Sequence, residues 1–227
     1  MNVFGHRGAS AILPENTIAA LRRAFDDGAD GVELDVRPCR SGELVVHHDE
    51  RARGMLAPIS RATLDEIRRA SPDVPTLDEV WDDVGSRGIV HVEVKRDRGS
   101  AEAVRRWVRR RGLDSAPAGL HLSSFDPRIL GWLAVGARRV PRALIGHSKQ
   151  RWVVSAIDIA RVLGCRGLHP EWRMVDAALV RTAHTFEMEV NVWTVDDAAE
   201  LRRLQSIGVD GVICNDPGAA RAALADR

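Results

Sequence analysis

The sequence predicts an α/β protein folded as a (β/α)8 barrel, and three observations lead to this prediction. Short strand-like runs alternate along the chain with helical segments, which is typical of a parallel sheet. Eight such pairs fit a chain of 227 residues, the size of one barrel. A doubly wound open sheet would usually carry a glycine-rich phosphate loop after its first strand, but the residues there are His6-Arg7-Gly8.

The predicted barrel strands are short runs rich in Val, Ile and Leu. In chain order they are Val3–Gly5, Gly31–Arg37, Ile89–Lys95, Gly119–Phe125, Val140–Ile145, Gly167–His169, Val190–Val195 and Val209–Cys214. A short hairpin strand, Leu44–His48, follows the second barrel strand after a turn at Gly42.

The predicted helices have apolar residues at helical spacing. In chain order they are Asn16–Asp27, Thr63–Arg69, Thr76–Val84, Ser100–Arg111, Pro127–Val135, Trp152–Leu163, Val175–His184, Asp197–Ser206 and Pro217–Ala225. Asp196 or Asp197 is expected to cap the helix that follows it. No linker or low-complexity tract interrupts the pattern, so residues 1–227 are expected to form one catalytic domain.

The composition excludes several classes of protein. Hydrophobic residues make up 44% of the chain and charged residues 29%, which excludes a disordered chain and a collagen. The longest strongly apolar stretch, Ile129–Ala137, is far shorter than the roughly 20 residues of a membrane-spanning helix. A net charge of +1 argues against nucleic-acid binding through a general basic field. We therefore expect neither stable membrane insertion nor a nucleic-acid partner.

The cysteines and the N-terminal residues predict a cytoplasmic protein. Cys39, Cys165 and Cys214 are odd in number and widely spaced, which indicates reduced thiols rather than disulfides or a zinc site. The first residues run directly into a strand-like segment without the pattern of a signal peptide.

Polar residues occur where the predicted strands end, which is where barrel enzymes carry their active sites. Glu33 and Asp35 are two residues apart, so both side chains lie on one face of their strand. Glu93 and Lys95 have the same spacing on the next barrel strand. Later strands bring further polar and aromatic side chains to this end: His121, Ser123, Phe125, His169, Asn191 and Trp193.

These residue types suit the chemistry of phosphoryl groups. Burying several carboxylates is costly unless they are paired or bind an ion, and carboxylate oxygens suit Mg²⁺ or Ca²⁺ rather than zinc. Lys95 is notable because only it and Lys149 are lysine among 33 basic residues, so a compact positive charge is favoured there. Arg7 has the planar donor fork that binds phosphate oxygens. His6 and His48 are candidates for a general acid and a general base.

With these residues in order, the chain resembles the glycerophosphodiester phosphodiesterase family. The motifs that carry the resemblance are His6-Arg7-Gly8, Pro14-Glu15-Asn16-Thr17, Glu33-Leu34-Asp35, His48-Asp49, Glu93-Val94-Lys95, Val192-Trp193-Thr194-Val195 and Gly208-Val209-Asp210-Gly211-Val212-Ile213. No single motif is specific, but their order at the strand ends is.

The resemblance implies a barrel enzyme that hydrolyses glycerophosphodiesters to glycerol 3-phosphate and an alcohol. It implies that Glu33, Asp35 and Glu93 hold a divalent metal, Mg²⁺ or Ca²⁺. It also implies roles for seven other residues: acid/base catalysis by His6 and His48, phosphate contacts by Arg7 and Lys95, support by Glu15 at the start of the first helix, and substrate packing by Trp193 and Phe125.

The chain departs from the family pattern in the segment after Asp49. The family usually carries a longer insertion there, whereas Val74-Pro75-Thr76-Leu77 follows here after 25 residues, which predicts a trimmed insertion and a more open mouth. Two alternatives stay open: a lysophospholipase D-like or sphingomyelinase D-like enzyme acting on lipid-tailed phosphodiesters, and a non-catalytic barrel that binds a phosphate ester. The leaving alcohol, the choice of metal, a cyclic intermediate and the oligomeric state also stay open.

Overall fold

Eight parallel strands close into a barrel in the computed structural model, which describes residues 1–117, 119–148 and 156–225. The strands, with one antiparallel addition, are β1 Asn2–His6, β2 Gly31–Pro38, β3 Leu44–Val46, β4 Ile89–Val94, β5 Leu120–Ser124, β6 Arg142–Gly146, β7 Gly167–Pro170, β8 Glu189–Val192 and β9 Gly211–Cys214. Strand β1 pairs with both β2 and β9, which closes the ring. Strand β3 pairs antiparallel with β2 outside it. The predicted barrel and hairpin strand are confirmed.

Helices alternate with the barrel strands, as the sequence predicts. They are α1 Ile18–Asp26, α2 Leu64–Ala70, α3 Leu77–Val84, α4 Ser100–Arg110, α5 Pro127–Gly136, α6 Ala156–Val162, α7 Ala177–Thr185, α8 Ala198–Ser206 and α9 Pro217–Ala225. Asp197, and not Asp196, caps α8 by accepting the backbone N–H of Glu200 at 2.9 Å. Within the described residues, no helix is long and apolar enough to cross a membrane.

The main apolar core lies between the strands and the helices. In β2, Val32, Leu34 and Val36 are fully buried in a cluster with Leu21 of α1 and Val80 of α3. Side chains alternate between the two faces of a strand, so the residues between these three point into the barrel. This alternation directs the acidic residues of β2 toward the interior.

Aromatic and imidazole rings fill part of the barrel interior. The His91 ring makes edge contacts with Phe4, His121 and His169, with centroid distances of 4.6, 4.8 and 5.0 Å. His91 is 1% exposed, and burial lowers its pKa well below the usual value. His91 is therefore a neutral group of the barrel interior, packed among the three rings around it.

Several predicted boundaries move by a few residues. Helix α1 begins at Ile18 and not at Asn16, because the Thr17 hydroxyl caps it and Asn16 has a left-handed φ of 58°. Strand β3 ends at Val46, the last residue opposite β2, so His48 lies on the following loop. Of the predicted helix Trp152–Leu163, residues 152–155 lie outside the described residues.

A five-residue pattern occurs twice in the chain and makes the same contact each time, a repeat that the sequence analysis missed. Residues 28–32 read Gly-Ala-Asp-Gly-Val and residues 208–212 read Gly-Val-Asp-Gly-Val. In both, the aspartate Oδ2 accepts a backbone N–H of a neighbouring strand at 2.7 Å: Asp30 from Val3 and Asp210 from Val190. Each carboxylate thus fastens the start of one strand to the turn before the next.

The segment after β3 has a small apolar cluster of its own. It contains a short 3-10 turn, Ile59–Arg61, and helix α2. The buried members of the cluster are Cys39, Val45, Ala52, Ile59, Ala62, Ile67 and Val74. The segment is therefore packed against the hairpin of β2 and β3.

Candidate active site

A cavity of about 170 Å³ opens at the carboxyl ends of the barrel strands. The residues that line it are His6, Arg7, Glu33, His48, Glu93, Lys95, Ser123, Phe125, Ile145, His169, Trp193 and Ile213. Eight of the ten residues that the sequence singled out are therefore together in one cavity. The other two adjoin it, since Asp35 is buried behind the lining and Glu15 lies on the outer side of Arg7.

Three carboxylates converge at the floor of this cavity. One oxygen each from Glu33, Asp35 and Glu93 lies within 4.8 Å of the others, and all three residues are buried. The register of β2 and β4 explains the convergence, because Asp35 is directly opposite Glu93 and Glu33 is one inward-facing position earlier. Neighbouring parallel strands thus bring the three side chains to one point.

Two cations partly balance the three carboxylates. The Lys95 Nζ lies 2.7 Å from Asp35 Oδ1 and 2.5 Å from Glu93 Oε1. The Arg7 guanidinium lies between Asp35, at 3.2 Å, and Glu15, whose two oxygens each accept from Nη1 at 2.9 Å. Glu15 lies before α1 and not on its first turn, and its contact with the cavity lining is through Arg7.

The pKa values in this cluster move in opposite directions. Burial raises the pKa of Glu93 to about 7, although Lys95 opposes the shift. Burial and the charges of Asp35 and Glu93 raise the pKa of Glu33 well above its usual range. Burial also opposes ionisation of Asp35, but Lys95 and Arg7 outweigh it and lower the pKa of that carboxyl. The ionised forms of Glu33 and Glu93 are therefore unfavourable without a further positive charge, and a bound cation would stabilise them.

Asn16 holds one of the carboxylates, a role that the sequence analysis did not assign. Its Nδ2 donates to Asp35 Oδ2 at 2.9 Å, and its Oδ1 accepts the Asp35 backbone N–H at 3.2 Å. Both Asn16 and Arg7 have a left-handed backbone, with φ of 58° and 55°. The Asn16 backbone N–H also donates to the Arg7 carbonyl at 3.0 Å, which joins the two ends of the β1–α1 loop.

His6 is held by residues from the other end of the chain. Its Nδ1 lies 2.7 Å from Asn215 Oδ1, which also accepts the Ser10 hydroxyl at 2.9 Å. Asn215 in turn donates its backbone N–H and its Nδ2 to Asp196, at 2.7 and 2.6 Å. Burial, followed by the positive charge of Arg7, lowers the pKa of His6. No sequence motif signalled Asn215 or Asp196, because their partners lie far away in the chain.

His48 lines the same cavity and is more exposed than His6. Its Nδ1 lies 2.8 Å from Asp49 Oδ1, and its side chain is 37% exposed. Arg37 donates from Nε and Nη2 to the His48 carbonyl at 3.0 and 2.8 Å, and its Nη1 pairs with Asp97 at 2.6 Å. The loop that carries His48 is therefore anchored although the imidazole itself is accessible.

The far wall of the cavity is apolar. Phe125 and Trp193 meet edge to face, with a centroid distance of 5.5 Å and an interplanar angle of 89°. The Trp193 Nε1 donates to the carbonyl of His169 at 2.7 Å, which fixes the indole ring. His169 lines the cavity, whereas His121, the other histidine that the sequence placed near the site, packs against His91 instead. The aromatic part of the lining thus suits apolar groups of a ligand, and the part that carries Arg7 and Lys95 suits its charged groups.

The donor set fits a hard divalent cation. All three converging ligands are carboxylates, which suit Mg²⁺ or Ca²⁺ and not a soft metal. All three carboxylates are buried, and each brings an oxygen within 4.8 Å of the other two. This group of Glu33, Asp35 and Glu93 could therefore bind a metal ion.

Comparisons with known proteins agree with this geometry. Residues 6–219 match the model of the glycerophosphoryl diester phosphodiesterase family. A glycerophosphodiester phosphodiesterase of Caldanaerobacter subterraneus is 31% identical, over 95% of this chain and 94% of the relative. The glycerophosphodiester phosphodiesterase structure from Thermotoga maritima is 28% identical, with a TM-score of 0.82 over 96% of each chain.

A third protein shares the fold at lower identity. It is an Oleispira antarctica phosphodiesterase solved with the product sn-glycerol-3-phosphate, and it is 23% identical with a TM-score of 0.84 over 99% of this chain and 96% of that one. The prediction of a phosphoric diester hydrolase is confirmed by the family match and the named relatives. The chain belongs to the glycerophosphoryl diester phosphodiesterase family.

Proposed function

We propose that this chain is a metal-dependent phosphodiesterase that hydrolyses glycerophosphodiesters to glycerol 3-phosphate and an alcohol, with His6 and His48 as base and acid. The observation that carries the proposal is one cavity that has both His6 and His48 on its lining and three carboxylates clustered within 4.8 Å at its floor. The relative from Caldanaerobacter subterraneus, named for this activity, supports the substrate class.

Glu33, Asp35 and Glu93 would hold the metal, Mg²⁺ or Ca²⁺. When bound, the metal supplies a positive charge that stabilises negative charge on the phosphoryl oxygens. Lys95 and Arg7 border the same cavity and would add cationic contacts to those oxygens. Their present partners, Asp35, Glu93 and Glu15, keep both cations in place.

The surroundings of the two histidines favour different roles. His6 is largely buried and its pKa is lowered, so it is neutral near pH 7 and suits removal of a proton from the nucleophile. His48 is more exposed, which suits a group that protonates an alcohol departing into solvent. The Asp49 carboxylate accepts the hydrogen bond of His48 Nδ1, which leaves Nε2 to deliver a proton to the leaving oxygen.

The size of the cavity supports a small substrate. Its volume of about 170 Å³ is below the roughly 300–1,000 Å³ of sites for drug-sized ligands. Phe125 and Trp193 would pack against the glycerol carbons or the leaving alcohol. A lipid-tailed substrate would need an extended apolar groove, so we favour the deacylated glycerophosphodiesters.

The proposal includes a reducing, cytoplasmic location. Cys39, Cys165 and Cys214 are buried free thiols. Burial raises the pKa of each, so all three are poor nucleophiles toward oxidants. Cell fractionation with a marker enzyme of the cytoplasm tests the location.

A coupled assay for released glycerol 3-phosphate tests the activity. The substrates are glycerophosphocholine, glycerophosphoethanolamine and glycerophosphoglycerol, each with Mg²⁺, with Ca²⁺ and with EDTA. We expect metal-dependent release, and loss of that release in H6A with the fold retained. Release that is unchanged in EDTA would remove the metal from the proposal, and no release from folded protein on any of the three substrates would overturn the substrate class.

A further inference from the structure

Asp196 lies outside the cavity and yet fixes the direction of a side chain that contacts a cavity residue. It is exposed, follows β8, and is absent from the cavity lining. Its carboxylate accepts both the backbone N–H and the Nδ2 of Asn215, at 2.7 and 2.6 Å. A carboxylate only accepts hydrogen bonds, so the NH2 group of Asn215 must face Asp196. The Asn215 Oδ1 must then point the other way.

The oxygen of Asn215 determines which nitrogen of His6 carries the proton. Oδ1 lies 2.7 Å from His6 Nδ1, and an amide oxygen is an acceptor only. Nδ1 must therefore be the N–H of the ring. A neutral imidazole has one N–H, so the lone pair is on Nε2, at the ring edge that remains for the cavity.

We infer that Asp196 is a positioning residue which, acting through Asn215, sets the neutral tautomer of His6 with its lone pair on Nε2. The inference rests on the proposed function, in which His6 takes a proton from the nucleophile. Asp196 touches neither substrate nor His6. Its effect is to make Nε2, and not Nδ1, the basic atom of His6.

Replacing Asp196 by its amide isostere should reverse the tautomer. In D196N the new amide can accept the backbone N–H of Asn215 only by turning its NH2 group toward the Asn215 side chain. Asn215 must then rotate its own oxygen toward position 196 and its NH2 group toward His6. The Ser10 hydroxyl can donate or accept, so it does not resist the rotation. His6 Nδ1 becomes an acceptor and the ring proton moves to Nε2.

Exchanging the two residue types should restore the original tautomer. In D196N/N215D the new carboxylate at position 215 accepts from His6 Nδ1 and from Ser10. The new amide at position 196 accepts the backbone N–H of residue 215 and donates to that carboxylate. Every donor again faces an acceptor. The single variant N215D, by contrast, sets two carboxylates against each other and serves as the matched control.

The tautomer is measured by the ¹⁵N chemical shifts of the histidine ring at about pH 8, where free imidazole is neutral. The His6 signals are assigned by their loss in H6Q. We expect Nδ1–H in the wild type and in D196N/N215D, and Nε2–H in D196N. Steady-state kinetics of D196N should show kcat lowered by about 100-fold with KM nearly unchanged, and the exchange should recover most of kcat.

Two results overturn the inference. One is Nε2–H in the wild type. The other is Nδ1–H in D196N, whatever the kcat of that variant. If D196N does not fold, D196N/N215D decides alone, because a folded double variant with Nε2–H contradicts the inference. The ring shifts do not depend on turnover. If the wild type hydrolyses none of the three substrates, the proposed function is contradicted, but the ¹⁵N shifts still show which tautomer His6 adopts.

Discussion

Asn16 and Asp35 exchange two hydrogen bonds, side chain to side chain at 2.9 Å and backbone N–H to side chain at 3.2 Å. Asn16 is 4% exposed, and it occupies this position with a left-handed backbone, at φ 58°. A strained residue that clamps a carboxylate of the proposed metal site indicates that the geometry of Asp35 matters to the site.

Comparing N16G with N16A separates the effect of losing the Asn16 amide group from the cost of the left-handed backbone at that position. Glycine adopts a positive φ without strain, whereas alanine adds a cost of about 1–2 kcal/mol, so N16A should be the less stable of the two. Both lose the hold on Asp35, and we expect each to bind Mg²⁺ or Ca²⁺ about 10-fold more weakly by calorimetry. Wild-type metal affinity in N16G would show that the amide is not needed.

Replacing the Glu33 carboxylate should stabilise the metal-free protein but remove the stabilisation that metal binding gives. Burial and the charges of Asp35 and Glu93 raise the pKa of Glu33, so its ionised form is unfavourable near pH 7. E33Q should raise the free energy of unfolding in EDTA by about 1–3 kcal/mol. It should also abolish the rise in Tm that metal produces in the wild type, a gain of about 2.7 kcal/mol at 100 times Kd.

Thermal unfolding with EDTA and with each metal checks both effects. The matched control is E15Q, which alters a carboxylate that is 49% exposed and lies outside the metal group. A metal-induced rise in Tm that is the same in E33Q and the wild type would remove Glu33 from the ligand set.

The division of roles between His6 and His48 predicts how each variant responds to the leaving group. The p-nitrophenyl ester of glycerol 3-phosphate releases an anion that needs no proton. H48A should therefore hydrolyse it within about 10-fold of the wild-type rate, while losing about 10²–10⁴-fold on glycerophosphocholine. H6A should be slow on both substrates. The reverse pattern would mean that the acid and the base are exchanged.

The buried His169 makes stability depend on pH. Burial, followed by the neighbouring His121, lowers its pKa to about 3, against about 6.5 in an unfolded chain. Between these values the unfolded chain binds a proton that the folded chain does not. The contribution of His169 to the free energy of unfolding is therefore fully present above about pH 6.5. It falls by up to about 1.4 kcal/mol per pH unit as the pH drops toward 3.

Urea unfolding of the wild type and H169Q between about pH 4 and 7.5 isolates this contribution. The variant should be less stable at neutral pH, since it alters a packed interior, but its stability should fall less steeply with acid. Equal slopes for the two proteins would show that His169 is not neutral in the fold.

Residue spacing was sufficient to predict the barrel and most of the lining of the site. Strand alternation places Glu33 with Asp35 and Glu93 with Lys95 on inward faces, and parallel strands end at the same rim. These relations act over two residues or between neighbouring strands, so residue spacing alone reveals them. The same local information places helix boundaries less well, as the start of α1 shows, because a single capping side chain decides them.

The contacts that hold the site residues in place depend on the tertiary structure. His6 and Asn215 are 209 positions apart, and Asn16 reaches Asp35 across 19. The first contact arises when the barrel closes β1 onto β9 and the second when β1 pairs with β2, and no local pattern encodes either. Burial, which raises the pKa of Glu33 and lowers that of His6, likewise exists only once the chain is packed. The residue types of the site are local properties, whereas charge state, tautomer and orientation depend on neighbours that folding brings together.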